Sequence, residues 1–146
     1  MLRRVDMSDF DPVRLINGFG KYGHGGLIGM RYAGHGDDWA ELELPYRSEL
    51  VGDAATGIIA SGPIFTMMDM ATSISIWIKS GTFRPQATLD LRVDYLRPAE
   101  PGKSVFGRGE CYKLTKSIAF IRGEAHDGDA SRPVAHVAGT YIFTDV

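Results

Sequence analysis

The sequence holds a single cysteine, Cys111, so no disulfide can close within the chain and a reducing compartment is expected. It also lacks any window of the ~18–20 apolar residues that a membrane span needs. The most apolar stretch, Ile64 to Ile78, is interrupted by Thr66, Asp69, Thr72, Ser73 and Ser75. Nor is there an excess of either charge. A net charge of -2 and a pI of about 6.1 argue against duplex nucleic acid or an anionic membrane as the main partner, while leaving local basic spots open. Met1-Leu2-Arg3-Arg4-Val5-Asp6 has two arginines with no apolar run behind them, unlike a secretory leader. The chain reads as soluble and cytoplasmic. Repeats and low-complexity linkers are absent too. The 146 residues suit one domain spanning 1–146, with 1–26 as a short helix and a glycine-rich lead-in.

Asp11 and Pro12 have the chemistry of a helix start, leading into Val13-Arg14-Leu15-Ile16. Eight glycines then crowd residues 18 to 36, and Leu27 to Tyr32 is a candidate first strand. Trp39 to Leu44 alternates, placing Ala40, Leu42 and Leu44 on one side, as in a half-buried strand. Ser61-Gly62-Pro63 opens a long helix, with Ser61 or Gly62 as cap, that runs to about Lys79 and stops at Gly81. Its apolar residues go nearly all round, which predicts burial; only Thr66, Asp69, Thr72 and Ser73 form a polar strip. Period-two patterning follows in Thr88–Leu96, Val105–Leu114, Ser117–Ala125 and Val134–Phe143. Short connections predict four antiparallel strands in meander order. The class is α+β, with the sheet wrapped around the apolar helix that shields it.

Asp69 is the candidate that carries chemistry. It lies about two turns inside the helix, too deep to cap it, and a carboxylate on a buried helix is costly unless partnered. It either bonds Thr66, Thr72 or Ser73 for structure alone, or serves a cleft as base or nucleophile. Met67, Met68 and Met70 read as core, with an acyl pocket as the second reading. Lys113, Lys116 and Arg122, with Ser117 beside the turn, could meet phosphates or simply be solvated.

Several patterns are set aside. His24-Gly25-Gly26 reads as a flexible glycine loop, and Gly23 to Gly26 lacks the third glycine of a dinucleotide fingerprint. Gly102-Lys103-Ser104 is a turn, because Arg97 stands where a phosphate loop has glycine. His24, His35, His126 and His136 have no ligand spacing, so no metal is expected. There is no Gly-x-Ser-x-Gly elbow.

With the helix and the strand Thr88 to Pro98 in view, the chain resembles a hotdog-fold thioesterase of the phenylacetate-degradation (PaaI-like) type, over roughly Leu27 to Phe143. Members open the central helix with His-Gly-Gly and continue with a Leu-Ala-Asp-Thr-Ala-like stretch. Here Ala60-Ser61-Gly62 and Met68-Asp69-Met70-Ala71 occupy those slots, and Tyr95-Leu96-Arg97-Pro98-Ala99 matches the end of the next strand. The resemblance implies a homodimer with side-by-side helices, which leaves a homotetramer built from two such dimers open, and coenzyme A thioesters as substrates. No cofactor is implied beyond the coenzyme A of the substrate. It implies Asp69 as the catalytic acid, the Ser61 and Gly62 N–H groups as the oxyanion site, and Thr88 as a water-orienting hydroxyl serving its own or the other copy's Asp69. Thr66, Met68, Lys113, Lys116 and Ser117 are the expected substrate contacts. Two departures stand out: Ala60 replaces the motif histidine, and Ala54 falls near the place of a polar amide. They leave room for a non-catalytic acyl-CoA binder. A hotdog hydratase or dehydratase ranks last, because neither the helix nor its lead-in has a histidine.

Overall fold

The computed structural model describes residues 10–145. The Met1 to Asp6 opening lies outside the described residues. Helix α1 (Pro12–Phe19) starts as expected: the Asp11 carboxylate accepts from the Val13 and Arg14 amides, and Pro12 holds the first position. The following glycines depart from expectation. His24-Gly25-Gly26 is not a loop but part of helix α2 (Gly23–Ile28), closed by Gly29 at φ 76°. Leu27 and Ile28 therefore belong to a helix, and the first strand, β1, is Arg31–His35. Burial explains the outcome, because Ile28 and Met30 both drop into the core and hold the turn against it.

Strand β2 (Trp39–Leu44) buries Ala40, Leu42 and Leu44 on one face, as its alternation dictates. A turn at Ser48–Leu50 leads into a small ribbon of β3 (Val51–Asp53) and β4 (Ile58–Ile59), too short to show in the pattern. The Ala60 amide donates to the Leu50 carbonyl at 2.8 Å and fixes the approach to the next helix.

Helix α3 (Ser61–Ser80) ends at Gly81 with φ 69°. Its cap is Ala60, not Ser61 or Gly62, and no side chain caps the first turn. The helix lies across β2 and across β6 (Val105–Leu114), β7 (Ile118–His126) and β8 (Ala135–Phe143) come after it in the sheet. Met67, Met68, Ala71 and Ile74 are fully buried against that sheet. Full burial of one such large side chain contributes about 1.5–3 kcal/mol. Close approach needs a groove: a Cβ on Gly109 would come within 2.6 Å of the Thr72 nitrogen.

The large sheet runs β1-β2-β6-β7-β8-β5, all antiparallel, where β5 is Gln86–Tyr95. The arrangement is the hotdog fold, a six-stranded sheet packed on one long helix. The four-strand meander is corrected in one respect. Strands β6, β7 and β8 follow one another, but β5 pairs with β8 at the far edge, and β2 takes the place beside β6. The connection over 96–104 is a crossing rather than a tight turn, and hydrophobic periodicity carries no information about strand order. The outer face is a ladder of ion pairs, Arg31–Glu43, Arg108–Glu41 and Arg122–Glu110. No described helix is long and apolar enough to cross a membrane.

Candidate active site at the middle of the central helix

At 100° per residue, Gly62, Thr66, Asp69 and Ser73 fall within about 60° of one another on α3. This stripe faces away from the sheet interior. Thr72, grouped with them by sequence, instead turns inward and is wholly buried.

The Asp69 side chain reaches the seam between α3 and the β5–β8 edge. Its Oδ1 accepts from the Thr88 hydroxyl at 2.9 Å and from the Tyr141 hydroxyl at 2.7 Å. Within the single chain, Thr88 donates to its own aspartate. Oδ2 has no protein partner among the described residues, and Asp69 is only half-buried. One oxygen is anchored and the other is presented. Two hydroxyl donors on a single oxygen lock the rotamer. Tyr141 is 1 % exposed, and burial first, with the Asp69 charge adding to it, pushes its phenol up to about 12. It therefore stays a donor at any physiological pH. The Tyr141 hydroxyl also lies 2.9 Å from Thr72 Oγ1, whose own proton reaches the Met68 carbonyl at 2.8 Å.

The start of α3 is the second feature. The Ser61 and Gly62 amides have no partner among the described residues, and Pro63 has no N–H to offer. A Cβ on Gly62 would meet nothing within 4 Å, so space for a ligand adjoins it. The Tyr95 hydroxyl donates to the Ser61 carbonyl at 3.1 Å. That carbonyl and the Gly62 N–H share one peptide unit, so the bond polarises the N–H as a donor. A groove of about 340 Å³ opens here, lined by Ile59, Ser61, Ile64, Tyr95, Leu96 and Arg97. A larger cleft of about 620 Å³ lies on the outer sheet face. Its arginines are already committed, Arg108 to Glu41 at 3.2 Å and Arg122 to Glu110 at 3.0 Å.

The other expected contacts disperse. Met68 is fully buried, its sulfur against Gly107, and belongs to the core rather than to the cleft. Lys113 lies near the end of β6, and Lys116 and Ser117 lie in the turn that leads to β7, where the Ser117 carbonyl accepts from the Phe143 amide. Thr66 is half-buried and accepts from His24, 3.1 Å away on α2. Tyr141, Tyr95 and His24 were missed by sequence reasoning. Tyr141 had a signal: it shares the inward register of β8 with Val137 and Phe143, and an inward tyrosine must find a hydroxyl partner. Burial pushes the Cys111 thiol up to about 11, which makes it inert. Among the described residues no three metal-ligating side chains converge.

The comparisons with known proteins agree with this fold. The thioesterase superfamily profile matches residues 56–134. A medium/long-chain acyl-CoA thioesterase, YigI of Escherichia coli (strain K12), is 27% identical over 136 residues, covering 79% of this chain and 81% of its own. A crystal structure from Pseudomonas aeruginosa is 34% identical, superposes with a TM-score of 0.78, and covers 90% of this chain and 95% of that one. The PaaI protein of the phenylacetic acid degradation operon of E. coli shares the fold at 12% identity, with a TM-score of 0.75 over 90% of this chain and 93% of that one. A hotdog chain with a partnered aspartate in the middle of its central helix, matched over more than half its length by one profile, belongs to the thioesterase superfamily.

Proposed function

We propose that this chain hydrolyses acyl-CoA thioesters, with Asp69 as the reacting carboxylate and the Ser61 and Gly62 amides as the oxyanion site. The observation that carries the reading is the split environment of Asp69: Oδ1 is held by two hydroxyls and Oδ2 is open. An anchored carboxylate suits a base that draws a proton from water, or a nucleophile that attacks the thioester carbonyl directly. Unpaired amides at a helix start suit the oxygen on which negative charge then develops. The apolar groove beside Ser61 suits the acyl or pantetheine arm. The acyl-CoA class is supported by the function named for the YigI relative.

The active unit of this proposal is a homodimer. Asp69 lies about 10 Å along the axis from Gly62, a long reach for one carbonyl group to bridge. Two antiparallel α3 helices side by side would bring the amides of one copy level with the aspartate of the other. The open surface supports this. Strand β5 is a ten-residue edge that leaves Leu89 56% and Tyr95 47% exposed, and Leu96 just after it is 53% exposed. Such an edge is a liability unless covered.

The test is turnover of an acyl-CoA panel by the wild type and by Asp69→Asn. Hydrolysis of at least one member by the wild type, lost in the variant, is expected. Equal rates on every member would sink the proposal. Single-turnover reaction in ¹⁸O-water separates the two chemistries: label goes directly into the product acid for a base, and into Asp69 for a nucleophile. Calorimetric binding of an acyl-CoA without turnover would favour a binding protein instead.

A further inference from the structure

The stretch Gly23 to Gly29 is folded more tightly than a linker requires. Gly23 and Gly29 sit at φ 63° and 76°. A Cβ on Gly26 would lie 2.6 Å from the Lys21 carbonyl carbon, and one on Gly25 would lie 2.7 Å from the Phe19 oxygen. The close wrap of α2 on α1 that these glycines allow turns His24 onto α3, where its Nε2 lies 3.1 Å from Thr66 Oγ1. The Thr66 hydroxyl donates to the Gly62 carbonyl at 3.1 Å, so its oxygen accepts from His24 and the Nε2 carries the proton. The remaining ring nitrogen, Nδ1, has no partner among the described residues, and the side chain is exposed. Along the α3 stripe, Thr66 stands between the Gly62 amide and Asp69. The helix therefore has an imidazole beside its first turn after all, supplied by an element outside residues 56–134.

We propose that His24 is the general acid that protonates the departing thiolate. The proposal rests on the thioesterase reading. In the step, the water oxygen bonds to the thioester carbonyl carbon while one water proton passes to Asp69. The carbon–sulfur bond breaks and its electron pair leaves on sulfur. Sulfur takes the Nδ1 proton of imidazolium His24, whose Nε2–H is held by Thr66. The products are the free acid and the thiol, and the proton on Asp69 returns to His24 through solvent as they depart. Histidine suits the task because it gains and loses a proton near neutrality.

The experiment uses two substrates with one acyl group: the CoA thioester, which leaves as a basic alkyl thiolate, and an aryl thioester, whose acidic thiol needs no proton to leave. His24→Ala and His24→Gln should lower kcat/KM for the CoA ester about 10²-fold, the low end for general acid catalysis. The aryl ester should stay within about threefold of wild type. Thr66→Val keeps the imidazole but removes its anchor, and should give a smaller loss with the same preference. Equal losses on both esters, as expected if His24 merely supported the oxyanion or the fold, would overturn the assignment, and so would no loss on either. Asp69→Asn should abolish both activities. Wild-type chain without Asp69-dependent turnover of either ester would instead refute the thioesterase reading, and His24 with it. Near-native melting curves are expected for the His24 variants, since the side chain is exposed.

Discussion

Replacing Tyr141 with phenylalanine deletes one oxygen and leaves the ring packing in place. That oxygen lies 2.7 Å from Asp69 Oδ1 and 2.9 Å from Thr72 Oγ1, at a residue 1 % exposed, so water has no room to take over. A hydrogen bond to a charged group contributes about 1.5–3 kcal/mol. Thr88 still donates to the same Oδ1, so the lower figure applies, about 1.5 kcal/mol or roughly tenfold in rate. The expected result is kcat down about tenfold with KM little changed, because the bond orients the reacting group rather than the substrate. Thr72 keeps the Met68 carbonyl, so the loss of folding stability should be smaller, about 1 kcal/mol by urea denaturation. Thr88→Val removes the other donor. The double variant should lose more than the two single losses combined, because each single variant leaves one hydroxyl in place. The assay is thiol release from acyl-CoA, with urea melts on the same preparations. Wild-type kcat in Tyr141→Phe, alongside a measurable loss of stability, would refute the reasoning, since the hydroxyl would then serve the fold alone.

Other consequences can be checked independently. Asp127 is paired with both terminal nitrogens of Arg97, at 2.7 and 2.8 Å, and the guanidinium holds its carboxyl well below the usual range. A depressed folded value contributes stability that is complete above the unfolded range near pH 4, and that fades as pH falls further. Asp127→Asn should cost about 2 kcal/mol at pH 7 and flatten the acid limb of a stability-against-pH series; an unchanged limb would contradict this. Gly109→Ala forces a methyl to within 2.6 Å of the α3 backbone and should lower stability by about 3 kcal/mol in thermal melts. Leu89→Glu, on the open β5 edge, should shift sedimentation toward monomer and reduce turnover together. The native protein should show almost no reactive thiol until denatured, since Cys111 is wholly buried.

The long helix was legible because its signals were local and redundant: apolar residues all round, Pro63 near its start and Gly81 at its stop. Strands β2, β6, β7 and β8 were legible for the same reason, through alternation. Strand order was not, because β5 and β6 reach their neighbours by a crossing that no periodicity encodes. The stretch from Gly23 was misread because glycine was taken for freedom, whereas Gly25 and Gly26 are small where backbone meets backbone. Asp69 could be singled out as a charge with no business on a buried helix. Its partners Thr88 and Tyr141 are 19 and 72 residues away in sequence, a distance that only the fold closes.

The tether from Tyr141 to Asp69 also sets an order of events. Strand β8 lies between β7 and β5, so its arrival joins both halves of the sheet in one move. Until residue 141 has been added to a growing chain and that strand has docked, the carboxylate lacks one of its two anchors. A polypeptide interrupted earlier would lack the Tyr141 hydroxyl that holds Asp69 Oδ1.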